Sequence, residues 1–122
     1  MHRTETLEAM AGCEGVTDIL KRIGDKWTVQ VIVALLGQPR RFNELKRQVG
    51  GVSQQMLTRT LKTLERDGLL ERRVFDTTPP QVEYELTAFG RSLAEPVEQL
   101  AEWAVRHRRT IHDNRLRYDA KR

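Results

Sequence analysis

Residues 40–75 read RRFNELKRQVGGVSQQMLTRTLKTLERDGLLERRVF, and the fold follows from how that run divides. Arg40, Arg41 and Phe42 make a short extended piece. Asn43 then stands where a cap belongs for the helix ELKRQV, with Leu45 and Val49 turned inward. Gly50, Gly51 and Val52 give a tight turn, because two glycines free the backbone for it. Ser53 caps a longer helix that runs to about Asp67, and Gly68 ends it. Beyond Gly68 the apolar period drops from about four residues to two. Leu70, Arg72 and Val74 alternate with Glu71, Arg73 and Phe75, and Val82, Tyr84 and Leu86 later alternate with Glu83 and Glu85. The linking DTTPPQ holds Pro79 and Pro80, which cannot donate to a strand ladder. The pattern predicts an antiparallel hairpin with an exposed tip.

Upstream, Val16, Ile19, Leu20 and Ile23 recur at helical spacing within residues 14–23, and Gly24 stops that helix. Asp25 is placed to cap KWTVQVIVALL, which is apolar nearly all round and so predicts the central buried helix. Its β-branched content also fits a buried strand; the Asp25 start, the Gly37 stop and Pro39 beyond favour helix. Downstream, Thr87 caps a last helix with Leu93, Val97, Leu100, Ala104 and Ile111 along one face. Pro96 lies inside it and is expected to bend it or cost a hydrogen bond. The expected fold is therefore mainly α with a small β-hairpin, in the order of a winged helix-turn-helix. Within a single domain, residues 1–13 form an arm, 14–87 the core, 88–112 a terminal helix and 113–122 a polar tail.

A chain of 122 residues with 39% hydrophobic and 31% charged residues fits one globular domain that shows much charge to water. No run approaches the roughly 18 apolar residues of a membrane span. The opening MHRTETLEAMAGCEG has no apolar centre of a secretory signal, so a cytoplasmic location is expected, at the nucleoid when bound to DNA. The single cysteine, Cys13, cannot close an internal disulfide. The net charge of +4 is unevenly spread. Residues 38–75 hold nine Lys and Arg against four Asp and Glu, residues 76–104 one against six, and residues 105–122 seven against two. A basic block inside the folded region suits a polyanion, or simply a solvated surface.

On the helix from Ser53, Leu57, Leu61 and Leu64 mark the core side, with Met56 and Thr60 on its shoulder. The opposite side shows Gln55, Thr58, Arg59, Lys62 and Arg66, and no carboxylate occurs from Ser53 to Leu64. A carboxylate there would repel phosphates, whereas Gln pairs bidentately with adenine and Arg with guanine in the major groove. Base readout is therefore assigned to Gln55 and Arg59, flanked by Gln54 and Thr58. Phosphate contacts are expected from Lys26 and Thr28 at one helix start, from Arg40, Arg41, Asn43 and Lys46 at another, and from Ser53, Lys62, Arg72 and Arg73. Trp27 reads as core. Arg40 and Arg41 are equally compatible with solvated loop charge. The wing is the 76–81 tip.

The last helix is too long and too apolar on one side for so small a core. A second subunit is expected to cover Leu93, Val97, Leu100 and Trp103, together with Ile19 of the first helix; packing within the chain is the alternative. A twofold dimer sets two recognition helices about 34 Å apart, one turn of a pseudo-palindromic DNA site. The basic end, RHRR and RLRYDAKR, is read as a helix end favoured by the helix dipole, or else as a second DNA contact.

IGDKWTVQVIVALL, RRFNELKRQVGGVSQQMLTRTLKTLERDGLLERRV and PPQVEYELTAFGRSL, in this order and spacing, closely resemble the HxlR-type family of winged-helix regulators. The resemblance covers about Cys13 to Trp103. It implies a homodimeric transcription factor whose terminal helices make the dimer and whose Ser53–Asp67 helix enters the major groove of double-stranded DNA. It also implies that Cys13, just before the first helix, stands where some members sense oxidants or electrophiles. The residues themselves leave Cys13 open between sensor and inert thiol: Glu14 disfavours the thiolate, while a nearby helix start favours it.

Catalysis is not expected. HExxH, CxxC, GxGxxG and phosphate-loop patterns are absent, and His107 and His112 are five apart, which does not stack them for a metal. No cofactor is implied, and no small-molecule effector is legible. The rival reading is a winged-helix adaptor that binds protein rather than DNA, against which the acid-free face stands. RNA binding fits less well, because the hairpin has no exposed aromatic pair suited to base stacking.

Overall fold

The computed structural model describes residues 14–121. Helix α1 (Glu14–Ile23) is followed by α2 (Lys26–Leu35), strand β1 (Arg40–Arg41), α3 (Phe42–Gln48), α4 (Gln54–Arg66), β2 (Leu70–Phe75), β3 (Gln81–Leu86) and α5 (Ala88–Ala120). The expected order of elements is therefore present, and the 1–13 arm with Cys13 lies outside the described residues.

Three helix starts are fixed by the side chains that the sequence marks for the task. Asp25 accepts from the backbone N–H of Trp27 (2.9 Å) and Thr28 (3.3 Å), Ser53 Oγ from Met56 (3.0 Å), and Thr87 Oγ1 from Gly90 (2.9 Å). The start of α3 differs from expectation. The helix begins at Phe42, with Arg41 at the cap, so Asn43 sits inside the first turn. The Arg41 N–H donates to Glu44 Oε1 at 2.9 Å, so the carboxylate three residues on satisfies the N–H of the cap residue itself, and Asn43 is not the cap. The end of α4 is closed by Gly68 at φ +80°, with Leu69 N–H reaching Leu64 O and Gly68 N–H reaching Glu65 O, both at 3.0 Å.

The extended piece at Arg40–Arg41 does more than link helices. It pairs antiparallel with β3, so the hairpin becomes a three-stranded sheet in the order β1-β3-β2. Arg72 lies opposite Tyr84 and Arg73 opposite Glu83, while β1 sets Arg40 against Tyr84 and Arg41 against Glu83. Leu70 and Leu86, paired at the base of the hairpin, are buried.

The core gathers Val31 and Leu35 of α2, Leu45 of α3, Val49, Val52, and Leu57, Leu61 and Leu64 of α4, with Leu69, Leu70 and Leu86 closing it. Trp27 packs half-buried against this cluster, as its core reading implies. Helix α5 is seated by backbone contact. Thr87 N–H donates to Leu69 O at 3.1 Å and Thr87 Oγ1 to Gly68 O at 2.6 Å, so Gly90 passes close against Leu69. The helix then runs unbroken through Pro96 to Ala120. Residues 113–120, expected as a polar tail, are its last turns: Arg115 and Arg117 are good helix formers and suit a helix C-terminus.

Candidate nucleic-acid interface

Helix α4 separates its two sides sharply. Leu57, Leu61 and Leu64 are at most 1% exposed, and Gln55, Arg59, Lys62 and Arg66 are exposed on the other side. The outward side is a shallow concavity lined by Gln55, Thr58, Arg59, Lys62, Thr63 and Arg66. Thr58 donates its hydroxyl to Gln54 O (2.8 Å) and Thr63 to Arg59 O (3.0 Å), so both are left as acceptors toward solvent. Among the described residues, no hydrogen bond or ion pair holds the side chains of Gln54, Gln55, Arg59 or Lys62. Three predicted readers, Gln55, Thr58 and Arg59, and one predicted phosphate contact, Lys62, therefore share one face, with their donors free or, for Thr58, turned to the helix; Gln54 is exposed at the helix start but does not line the concavity.

The remaining predicted positioning residues divide. Lys26 is exposed, its Nζ 4.5 Å above the Trp27 ring. Arg41, Asn43, Lys46 and Arg72 are at the surface. Thr28, by contrast, is only 5% exposed and its N–H is taken by Asp25, so it is a core residue rather than a phosphate contact. Ser53 has its oxygen committed to the α4 cap. Arg40 is a structural clip: Nε donates to Ala34 O at 2.9 Å, and the Gln48 amide, turned to satisfy it, accepts from Nη1 at 3.0 Å and Nη2 at 3.2 Å. Arg73 is neutralised within the protein by Glu85 (3.1 Å) and Glu71 (3.3 Å), and Glu85 also takes Arg91 of α5 (3.3 Å). Apart from Glu71, two residues away on the same strand, these partners come from other elements, so spacing along the chain gave no sign of them. On the opposite side of the sheet, burial pushes the Tyr84 phenol up from its ordinary pKa; the Arg72 guanidinium opposes that shift and Glu65 adds to it.

The expected dimer residues also divide. Ile19 (57% exposed), Leu100 (55%) and Trp103 (48%) stand open. Val97 is 2% exposed within its own protomer and so has no surface free for a second subunit, whereas Leu93 packs on its own core but stays half-buried. From Glu102 onward every residue of α5 up to Ala120 is exposed except His107 and Ile111, which are half-buried. His107 stacks on Trp103 with ring centroids 4.5 Å apart, and its Nδ1 lies 2.8 Å from Trp103 O. At about 100° per residue, Leu100, Trp103, His107, Ile111 and Tyr118 fall along one stripe.

Two basic residues bordering the recognition face were not in the predicted set. Arg66 lines the concavity one turn beyond Lys62. Lys21 of α1 lines an adjoining recess together with Arg59 and Thr63. Arg66 was legible from helical spacing, but Lys21 becomes visible only when α1 is seen beside α4.

A family model described as HxlR-like helix-turn-helix matches residues 22–112. The chain belongs to this family. The HxlR-like chain is 43% identical over 86 residues to the HTH-type transcriptional regulator YtfH of Escherichia coli, covering 70% of itself and 68% of that protein. It superposes on the solved structure of the regulator YtfH from Salmonella typhimurium with a TM-score of 0.77 at 37% identity, covering 82% of this chain and 89% of that one. The redox regulator HypR in its reduced form gives a TM-score of 0.75 at 38% identity, covering 82% and 99%. Membership makes the HxlR-like chain a helix-turn-helix transcriptional regulator, and its relatives are regulators rather than enzymes. Among the described residues, no group of three or more His, Cys, Asp or Glu could hold a metal ion, and no helix is long and apolar enough to cross a membrane.

Proposed function

We propose that the protein is a homodimeric regulator that reads double-stranded DNA by laying α4 in the major groove. The observation that carries this reading is the outward face of α4, where Gln55, Arg59, Lys62 and Arg66 are exposed and no carboxylate interrupts them. Gln55 and Arg59 read base edges, with Gln54 and Thr58 beside them. Lys62 holds phosphate, as do Lys26, Arg41, Lys46 and Arg72, which fix register without reading sequence. Arg40, Arg73, Thr28 and Ser53 are left to the scaffold. The dimer forms through Leu100, Trp103 and the stripe that continues from them, with Ile19 of α1. Such a dimer works in the cytoplasm at a pseudo-palindromic site with half-sites about 34 Å apart.

A thiol response belongs to the same proposal and rests on Cys13 and on the likeness to HypR. Diamide supplies the oxidant: it takes two electrons and two protons as Cys13 joins either the same residue of a second subunit or a small thiol in a disulfide. Selection of bound fragments from the source genome, with and without diamide, tests both parts. The expected result is a twofold-symmetric site for the untreated protein, and altered binding after diamide that Cys13→Ser abolishes. Equal diamide responses in wild type and Cys13→Ser remove the thiol from the mechanism. No enrichment of duplex DNA, with tight binding to another protein instead, overturns the DNA reading in favour of an adaptor.

A further inference from the structure

An α-helix with its side chains is about 10–12 Å across, and the major groove is about 12 Å wide. A helix that enters the groove therefore has a phosphate strand along each flank. One flank of α4 is formed by Met56, Thr60 and Thr63, and α1 passes beside it. Lys21 lies there, exposed on the last turn of α1, in a recess that shares Arg59 and Thr63 with the recognition concavity.

We propose that Lys21 is a further DNA-phosphate contact, gripping the backbone strand that borders α4 on this flank. The inference rests on the DNA reading above and adds to it a contact from an element outside the helix-turn-helix. Two carboxylates share the recess, and both are engaged. Asp18 lies 3.8 Å from Arg22, whose guanidinium also holds Asp67 through bonds of 2.9 and 3.1 Å. Asp25 accepts the two N–H groups that it caps. Among the described residues, Lys21 has no hydrogen bond or ion pair of its own. Its flexible four-carbon stem and compact ammonium suit a phosphate on a moving backbone better than a base edge. Two residues along a helix rotate the side chain by about 200°. Ile19 and Lys21 thus point to opposite sides of α1, which lets one short helix serve the dimer contact and the DNA contact together.

The test needs no operator. Binding of the full chain to a mixed-sequence duplex of about 30 base pairs is followed by fluorescence anisotropy from about 50 to 200 mM KCl. Lys21→Gln is expected to lower the slope of log K against log salt by about 0.9 for each subunit bound, and Lys21→Arg to keep the wild-type slope. Lys121→Gln removes the same charge at the far end of α5 and is expected to leave the slope unchanged. A wild-type slope in Lys21→Gln overturns the inference while leaving the DNA reading intact. So does an equal loss in Lys121→Gln, which shows a net-charge effect only. A flat wild-type response sinks both.

Discussion

Arg59 differs from Arg40 and Arg73 in having no side-chain bond to release before it meets DNA. Arg40 and Arg73 look alike in sequence, yet each is already satisfied, by Ala34 O and Gln48 in one case and by Glu85 and Glu71 in the other. Breaking such bonds would offset most of what a phosphate contact gives. Arg59→Ala is therefore expected to weaken binding to a selected site by ~1–3 kcal/mol and to relax one base-pair position. Arg73→Ala is expected to leave the preference unchanged. Anisotropy titrations against the selected site and its single-base variants check both, and an unaltered preference in Arg59→Ala means that α4 docks differently. Gly90 raises a different residue-scale question, because a Cβ there would overlap the carbonyl oxygen of Leu69. Gly90→Ala must push α5 off the end of α4, and a loss of about 3 kcal/mol in urea unfolding is expected. Sequence alone did not reveal this glycine. It lies inside a helix with an ordinary φ, and only the packed neighbour makes its missing side chain matter.

At the scale of elements, what was legible is what is local. Asp25, Ser53 and Thr87 act on N–H groups two or three residues away, and Gly68 takes the left-handed conformation that only glycine adopts cheaply. Short-range chemistry of this kind survives in any fold, so it can be read before the fold is known. The start of α3 was misplaced because Asn43 is a good cap by type, while the bond that forms is a backbone donation from Arg41 to Glu44. The pairing of β1 with β3 was missed because Arg40 and Tyr84 are brought together by the whole domain. Thr87 joins the two kinds of information. Its hydroxyl caps α5 locally and also donates to Gly68 O across the α4–β2 turn. Thr87→Ala is expected to cost about 2 kcal/mol, more than an isolated cap, and Thr87→Ser to restore most of it. Urea midpoints of the three proteins measure this; equal loss in the Ser and Ala variants would assign the effect to the methyl group instead.

Over the whole molecule, α5 is the element whose length the protomer does not explain. Its first turns are fastened by Gly90 and Val97, but from Glu102 to Ala120 it offers the protomer little more than half-buried His107 and Ile111. The sequence led to the expectation of a partner for this helix, and of the four residues of α5 it assigned to that contact, Leu100 and Trp103 are open in the protomer. It could not tell them from Val97, because all three lie on the apolar side and only the packing of α5 in the folded protomer decides which are already covered. That difference makes the dimer testable without unfolding the protomer. Burying the exposed half of Leu100 in two symmetry-related subunits is worth roughly 2–3 kcal/mol, and an aspartate there adds the cost of desolvating its charge. Leu100→Asp is expected to be a folded monomer by light scattering, with an unchanged circular dichroism spectrum, since Leu100 is 55% exposed in the protomer. Its affinity for the selected twofold site should fall toward that of a single half-site, while the base preference within the half-site persists, because α4 is untouched. A Leu100→Asp protein that stays dimeric would move the interface off this stripe. A monomer that binds the full site as tightly as wild type would show that one subunit does the reading.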